Sequence, residues 1–332
     1  MKSTRAWRSL GTYLSFCPLV AVALLLGGLG RIEPATAQTS PIWSQEKIQN
    51  YLPHMTRPEV EDLLTRTDMV IIPVTALEQH GLHLPMGTDY YSGIERAKLI
   101  AQRTDVLVAP ILIPGQSAYH MEFAGTVTLS SETIQQVMVE ATESLIRHGF
   151  KRFLFLSSHG GNSAATAFIV DRINQETSGI AVDLGSAVGP FMDRERLASI
   201  PDPGLFDRHA GVSETSRALY LMPDLVDLDA AVPAVLTLPD HMQAMLPAVV
   251  AGDATALKVF LAEGLKAEET GKGTSAREMS TTGVWGVRDP KEATVEQGRI
   301  ETEVWVDAAV RFIEEWKALR PLGAGPKVPG RR

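Results

Sequence analysis

The chain has 332 residues, enough for one large domain or two small ones. Charged residues make up 21% and the hydrophobic set 45%, which excludes a disordered chain, a collagen and a coiled coil. The formal net charge is −8, the wrong sign for tracking phosphates, so no nucleic-acid partner is expected.

In chain order, the first feature is a targeting segment. Lys2, Arg5 and Arg8 precede an uncharged apolar stretch over residues 18–30, and Ala35-Thr36-Ala37 supplies a small-residue cleavage pattern. This order reads as a secretory signal peptide over residues 1–37. The apolar core falls short of the roughly 20 residues that span a bilayer, and no other segment matches that length and apolarity, so no membrane span is expected in the mature chain. Cleavage near Ala37 would remove Cys17, the only cysteine, and leave 27 basic against 38 acidic residues, a net of −11. A single cysteine excludes a disulfide framework and a thiolate zinc site. A cysteine-free mature chain suits an oxidising compartment, so a secreted or periplasmic location is expected.

The body alternates strands and helices. Residues 69–75 (MVIIPVT) form a β-branched run that predicts a buried strand, and Pro73 within it points to an edge or a bulge. A helix begins near Tyr90, with Ile94, Ala97 and Ala101 at helical spacing. Residues 106–113 read as strand, broken by Pro110. Ser130 or Ser131 caps a helix carrying Ile134, Val137, Met138, Ala141 and Leu145, which Gly149 ends. Residues 152–156 read as strand, 164–175 as helix and 181–184 as strand. The alternation predicts an α/β fold with a mostly parallel sheet covered on both faces. Residues 233–273, rich in Ala and Leu, read as helical, and the Gly-, Pro- and basic-rich tail at 323–332 as disordered. In such sheets functional groups collect beyond the carboxyl ends of the strands, and the polar clusters of this chain fall at such places.

Residues 75–89 (TALEQHGLHLPMGTD) hold Glu78, His80, His83 and Asp89. In an extended chain Glu78 and His80 project to the same side. Carboxylate plus imidazole is a ligand set for zinc, manganese or iron; the competing reading is a polar loop with exposed histidines. His159-Gly160-Gly161-Asn162 lies at a strand-to-helix junction. Its glycines let the backbone approach a ligand and its N–H groups face an anion, or they simply make a tight turn. Residues 209–216 (HAGVSETS) place Glu214 and Thr215 at the start of a helix, with Ser213 as its cap in the purely structural reading. Residues 117–126 (SAYHMEFAGT) form either a substrate loop or a turn. A nucleophile elbow, a P-loop and a dinucleotide-binding glycine motif are absent, and Ser157 and Ser158 alternate faces beside His159, which disfavours a serine hydrolase.

Taken together and in this order, the clusters resemble the creatininase (creatinine amidohydrolase) family. The resembling pieces are ALEQHGLHLPMGTD at 76–89, SAYHMEFAGTVTL at 117–129, RHGFKRFLFLSSHGGN at 147–162, HAGVSETS at 209–216, MPDLVDL at 222–228 and GVWGVRDPKEATVEQGR at 283–299. They imply a metallohydrolase domain over residues 42–320, a three-layer αβα sandwich and a homohexamer. They also imply two divalent metal ions per subunit, zinc foremost, with manganese or iron as alternatives. By the same resemblance Glu78, His80, Asp89 and His159 are metal ligands, with Asp89 bridging, and Glu214 is the remaining ligand. His209 is the implied proton-transfer group, and His120, Glu122, Gly160, Gly161 and Phe206 are expected around the substrate. The implied function is an exported amidohydrolase in which metal-bound hydroxide attacks a small amide, a cyclic amide or a related C–N bond. True creatininases carry Tyr-Glu where this chain has Gly160-Gly161, and that glutamate is a ligand there. They also close tryptophans over creatinine, whereas residues 188–209 hold only Phe191 and Phe206 as aromatics. The chain is therefore read as an HGGN-type member other than a true creatininase. The alternative is a non-catalytic periplasmic metal- or solute-binding protein on the same fold, which would not need His209.

Overall fold

A computed structural model of the chain describes residues 46–201, 206–264 and 276–324. The signal peptide expected at 1–37 lies outside the described residues, as do 265–273 of the expected helical segment and 325–332 of the tail. Among the described residues, no helix is long and apolar enough to cross a membrane.

Four parallel strands form the central sheet: β1 (Met69–Val74), β2 (Leu107–Val108), β3 (Arg152–Ser157) and β4 (Ile180–Asp183), in the spatial order β2-β1-β3-β4. Six helices frame the sheet and the site: α1 (Thr88–Thr104), α2 (Ser131–His148), α3 (Ser163–Glu176), α4 (Val212–Leu221), α5 (Ala254–Gly264) and α6 (Val295–Leu319). Every residue of β1 is buried, as a strand covered on both faces requires. Successive side chains alternate between two cores. Met69, Ile71, Leu154 and Leu156 pack with Ile94 and Ala97 of α1 and Ile313 of α6. Val70, Ile72, Val74, Phe153 and Phe155 pack with Ile134 and Met138 of α2 and Ile169 and Ile173 of α3. The result is the expected αβα sandwich.

The helix signals read from sequence have physical counterparts. The Ser130 side chain accepts from the Thr133 N–H at the start of α2, and Gly149 closes that helix at φ 114°. Three readings need correction. Pro73 sits on an inner strand, paired in register with Leu156. Its ring replaces no ladder donor, because it shares the parity of Ile71, which faces β2, and β2 has ended at Val108. The strand predicted over 106–113 is confined to Leu107–Val108, since Pro110 cannot continue the ladder. The expected helical segment after Pro233 is broken into Asp240–Gln243, Leu246–Val250 and α5; Gly252, at φ 80°, separates the last two.

Helix α6, 25 residues long, had no counterpart in the sequence reading. It packs against α4 at a point where Gly298 leaves no room for a side chain: a Cβ there would lie 1.9 Å from the Ser216 carbonyl oxygen. Gly298→Ala therefore forces two backbones apart. We expect a loss of about 3 kcal/mol, read as a lower urea midpoint with an unchanged slope. An unaltered midpoint would show that α6 does not press on α4.

Candidate metal centre

The connections from β1 to β2 and from β3 to β4 run to opposite sides, so a crevice opens between the carboxyl ends of β1 and β3. The chain leaves β1 into the loop carrying Glu78 and His80, then enters α1 with Asp89 in its first turn. It leaves β3 into His159. Glu214 lies in the first turn of α4, which follows β5 (Asp207–His209), paired antiparallel with β6 (Trp285–Gly286). Asp89 and Glu214 thus stand at helix N-termini, where the backbone field favours carboxylates.

These side chains converge in three groups whose potential ligand atoms lie within 4.8 Å of one another: Glu78, Asp89 and His159; His80, Asp89 and Glu214; and Glu78, His80 and His209. In the first, His159 Nδ1 lies 3.2 Å from both Glu78 Oε1 and Asp89 Oδ2. In the second, His80 Nε2 lies 3.8 Å from Asp89 Oδ1 and 3.6 Å from Glu214 Oε2. Asp89 therefore turns one oxygen to each group. Neighbouring ligand atoms around a tetrahedral zinc with bonds of ~2.0–2.1 Å are separated by ~3.3 Å, so these spacings suit atoms converging on a cation better than most direct hydrogen bonds. The third group reuses Glu78 and His80, so filling the first two leaves His209 free.

The hydrogen bonds behind the rings agree. His80 Nδ1 donates to the Glu78 carbonyl oxygen at 3.1 Å, leaving the Nε2 lone pair directed inward. His159 Nε2 donates to the Gln116 carbonyl at 2.9 Å, leaving Nδ1 inward. Backbone carbonyls behind metal-binding histidines set the tautomer in this way. Glu78 Oε2 and His80 Nε2 are buried without a hydrogen-bond partner. Inward lone pairs beside three carboxylates form a donor set that lacks only positive charge.

The protonation tendencies carry the same signature. Burial raises the Glu78 carboxyl, but His159, His120 and His209 outweigh it and hold the group below the usual carboxylate range. Burial lowers His80 to about 4, with His209 adding to the shift and Asp89 and Glu78 opposing it. At His159 burial is overcome by Glu78 and Asp89, which hold the imidazole well above its ordinary value. A proton on His159 thus stands in for part of the charge that cations would supply.

The other predicted site residues divide. His120, Gly160 and Gly161 line a cavity of about 330 Å³ over the cluster, together with Tyr119, Trp285 and Leu261 of α5. Phe206 does not line it; it is 3% exposed and packs edge-on against Phe260 in the core beneath Trp285. Glu122 also lies off the cavity wall, and its carbonyl accepts from Arg277. His83 turns away and pairs with Thr215 Oγ1 at 2.8 Å. Ser213 is inside α4 rather than its cap, with its hydroxyl on Glu301. Sequence reading missed Tyr119, Trp285 and Gln79, although all three lie inside motifs it quoted.

Gly161 explains the departure from Tyr-Glu. A Cβ there would lie 2.4 Å from Gln116 O, 2.4 Å from His159 Nε2 and 2.5 Å from the Tyr119 hydroxyl. No side chain fits there while Tyr119 and Gln116 support His159. The family model described as creatininase, creatinine amidohydrolase, matches residues 53–313. The chain belongs to the creatininase family. The family takes its description from creatinine amidohydrolase, an enzyme that hydrolyses a C–N bond. It is 33% identical over 170 residues to a mycofactocin precursor peptide peptidase of Mycolicibacterium smegmatis, an alignment spanning 49% of this chain and 62% of that protein, under two thirds of its length. It is 30% identical over 216 residues to the creatinine amidohydrolase of Pseudomonas putida, covering 59% and 78%. A solved creatininase mutant described as Zn-Zn type shares the fold at a TM-score of 0.62 and 24% identity, over 80% of this chain and 98% of that one.

Proposed function

We propose that this creatininase-family chain is an exported amidohydrolase carrying two divalent cations. Glu78, Asp89 and His159 would hold one, and His80, Asp89 and Glu214 the other. The observation that carries the reading is the shared position of Asp89, with one oxygen facing each group at ligand-like spacing. Two cations would contribute +4 against −3 from the carboxylates, lower the pKa of a bound water toward ~7 and polarise the scissile carbonyl. The remaining work falls to the chain. His209, whose Nδ1 lies 3.6 Å from Glu78 Oε1, would take on Nδ1 the proton that the attacking water gives up and pass it to the leaving nitrogen. His120, with Gly160 and Gly161 beside it, orients the carbonyl. Trp285 and Leu261 cover the site and exclude water.

A cavity of about 330 Å³ admits a small amide, a lactam or the end of a short peptide. Zinc suits the mixed carboxylate and imidazole donors, and manganese or iron would be accommodated by the same set. Export rests on the basic, apolar and small-residue zones of residues 1–37 and on the absence of cysteine after them. Assembly as a homohexamer is carried over from the family resemblance. A solute-binding role is the weaker reading, because His209 stands beside the cluster without being needed to complete either cation group.

The test is hydrolysis of a panel of formamides, lactams and dipeptides by protein beginning at Gln38. The expected result is turnover of at least one class that a chelator abolishes and zinc or manganese restores. Turnover indifferent to chelation would contradict the reading, and metal binding without turnover of any class would favour the solute-binding role.

A further inference from the structure

Gln79 stands between Glu78 and His80, 4% exposed, and neither cation group uses it. Its amide has one permitted orientation. Oε1 accepts from the Gly81 N–H at 2.9 Å, and Nε2 donates to the Gly283 carbonyl at 3.2 Å. Turning the amide over would set donor against donor and acceptor against acceptor. Gly283, at φ 74°, also leaves room for it: a Cβ there would lie 2.0 Å from Gln79 Oε1.

The second Nε2 hydrogen faces His120 Nδ1 at 3.1 Å, which must accept it. The ring hydrogen of His120 is therefore on Nε2, the atom 3.7 Å from Glu78 Oε1. His209 is held by the main chain of the same residue. Its Nε2 lies 2.6 Å from the Gln79 carbonyl oxygen, a group to which it can only donate, so its lone pair is on Nδ1, 3.6 Å from the same Glu78 oxygen. Gln79 Nε2 is also 3.0 Å from His209 Nε2, but both of its hydrogens are committed to Gly283 and His120. The two rings stack at 4.5 Å with planes 23° apart.

We propose that Gln79 is a positioning residue that holds both rings as Nε2–H tautomers in opposed orientations, so that His120 presents an N–H and His209 a lone pair to the same bound amide. The substrate half of this statement rests on the proposed amidohydrolase function; the tautomers do not. The N–H suits the carbonyl oxygen as charge develops on it, and the lone pair suits a proton on its way to the leaving nitrogen.

Long-range ¹H–¹⁵N correlation spectra of histidine-labelled, zinc-loaded protein report which ring nitrogen carries the hydrogen. The expected wild-type result is Nε2–H at both His120 and His209. In Gln79→Glu the side chain offers His120 Nδ1 an acceptor, so the hydrogen should move to Nδ1 at His120 while His209, bonded to the main chain, keeps its pattern. Nδ1–H at His120 in the wild type would overturn the proposal, even if the variant does not fold. So would an unchanged His120 pattern in a folded Gln79→Glu protein. The same samples carry a zinc titration: failure to take up zinc would count against the cation site while leaving the tautomer result readable.

Discussion

Asp89→Ala should take up less than one divalent ion per chain and lose activity by on the order of 10³-fold, the several kcal/mol that cation catalysis supplies. Both cation groups include Asp89, and each faces a different one of its oxygens. Removing any other ligand leaves one group whole; removing Asp89 opens both. The site also loses the carboxylate that helps hold His159 well above its ordinary value, so in metal-free protein that proton should be more easily released. Metal analysis after dialysis, with circular dichroism to verify the fold, checks the outcome. Stoichiometric metal in a folded Asp89→Ala protein would remove Asp89 from the bridge.

His209→Ala should behave in the opposite way. Turnover should fall by about 10²–10⁴-fold, the range for a lost proton-transfer group, with metal content retained. The discrimination is needed because His209 also completes a third group with Glu78 and His80. If that group held a cation, His209→Ala would lose metal together with activity. Retained metal with lost turnover assigns His209 to proton transfer. Parallel losses would make it a ligand and leave the reaction without its proton donor.

The sheet was legible in the sequence because β1 and β3 are continuous apolar runs, and their burial on both faces is what such runs predict. The capped helix over α2 was legible for an equally local reason, the Ser130 and Gly149 signals. Helix α6 went unassigned although Val306, Ala309 and Ile313 bury an apolar face in the core; only its close approach to α4 at Gly298 carries no hydrophobic signal. The site shows the same division. Glu78, His80, Asp89, His159 and Glu214 come from three separate stretches, and composition alone left each with a bland alternative. Their order along the chain supplied the assignment, and folding brings all five together. Glu122 was placed at the substrate by its motif and Phe206 as one of two aromatics in residues 188–209, but side-chain direction is set by packing partners distant in sequence: Phe260 claims Phe206 for the core. Trp285, the first residue of β6, lines the cavity from inside a motif that carried no role when read along the chain.

The central claim is that the inward lone pairs and carboxylates around Asp89 hold two cations. The most direct measurement is inductively coupled plasma mass spectrometry on protein beginning at Gln38, purified without chelators. The account predicts about two divalent ions per chain, zinc foremost. Protein that carries no metal, even after incubation with zinc, manganese or iron, would contradict it.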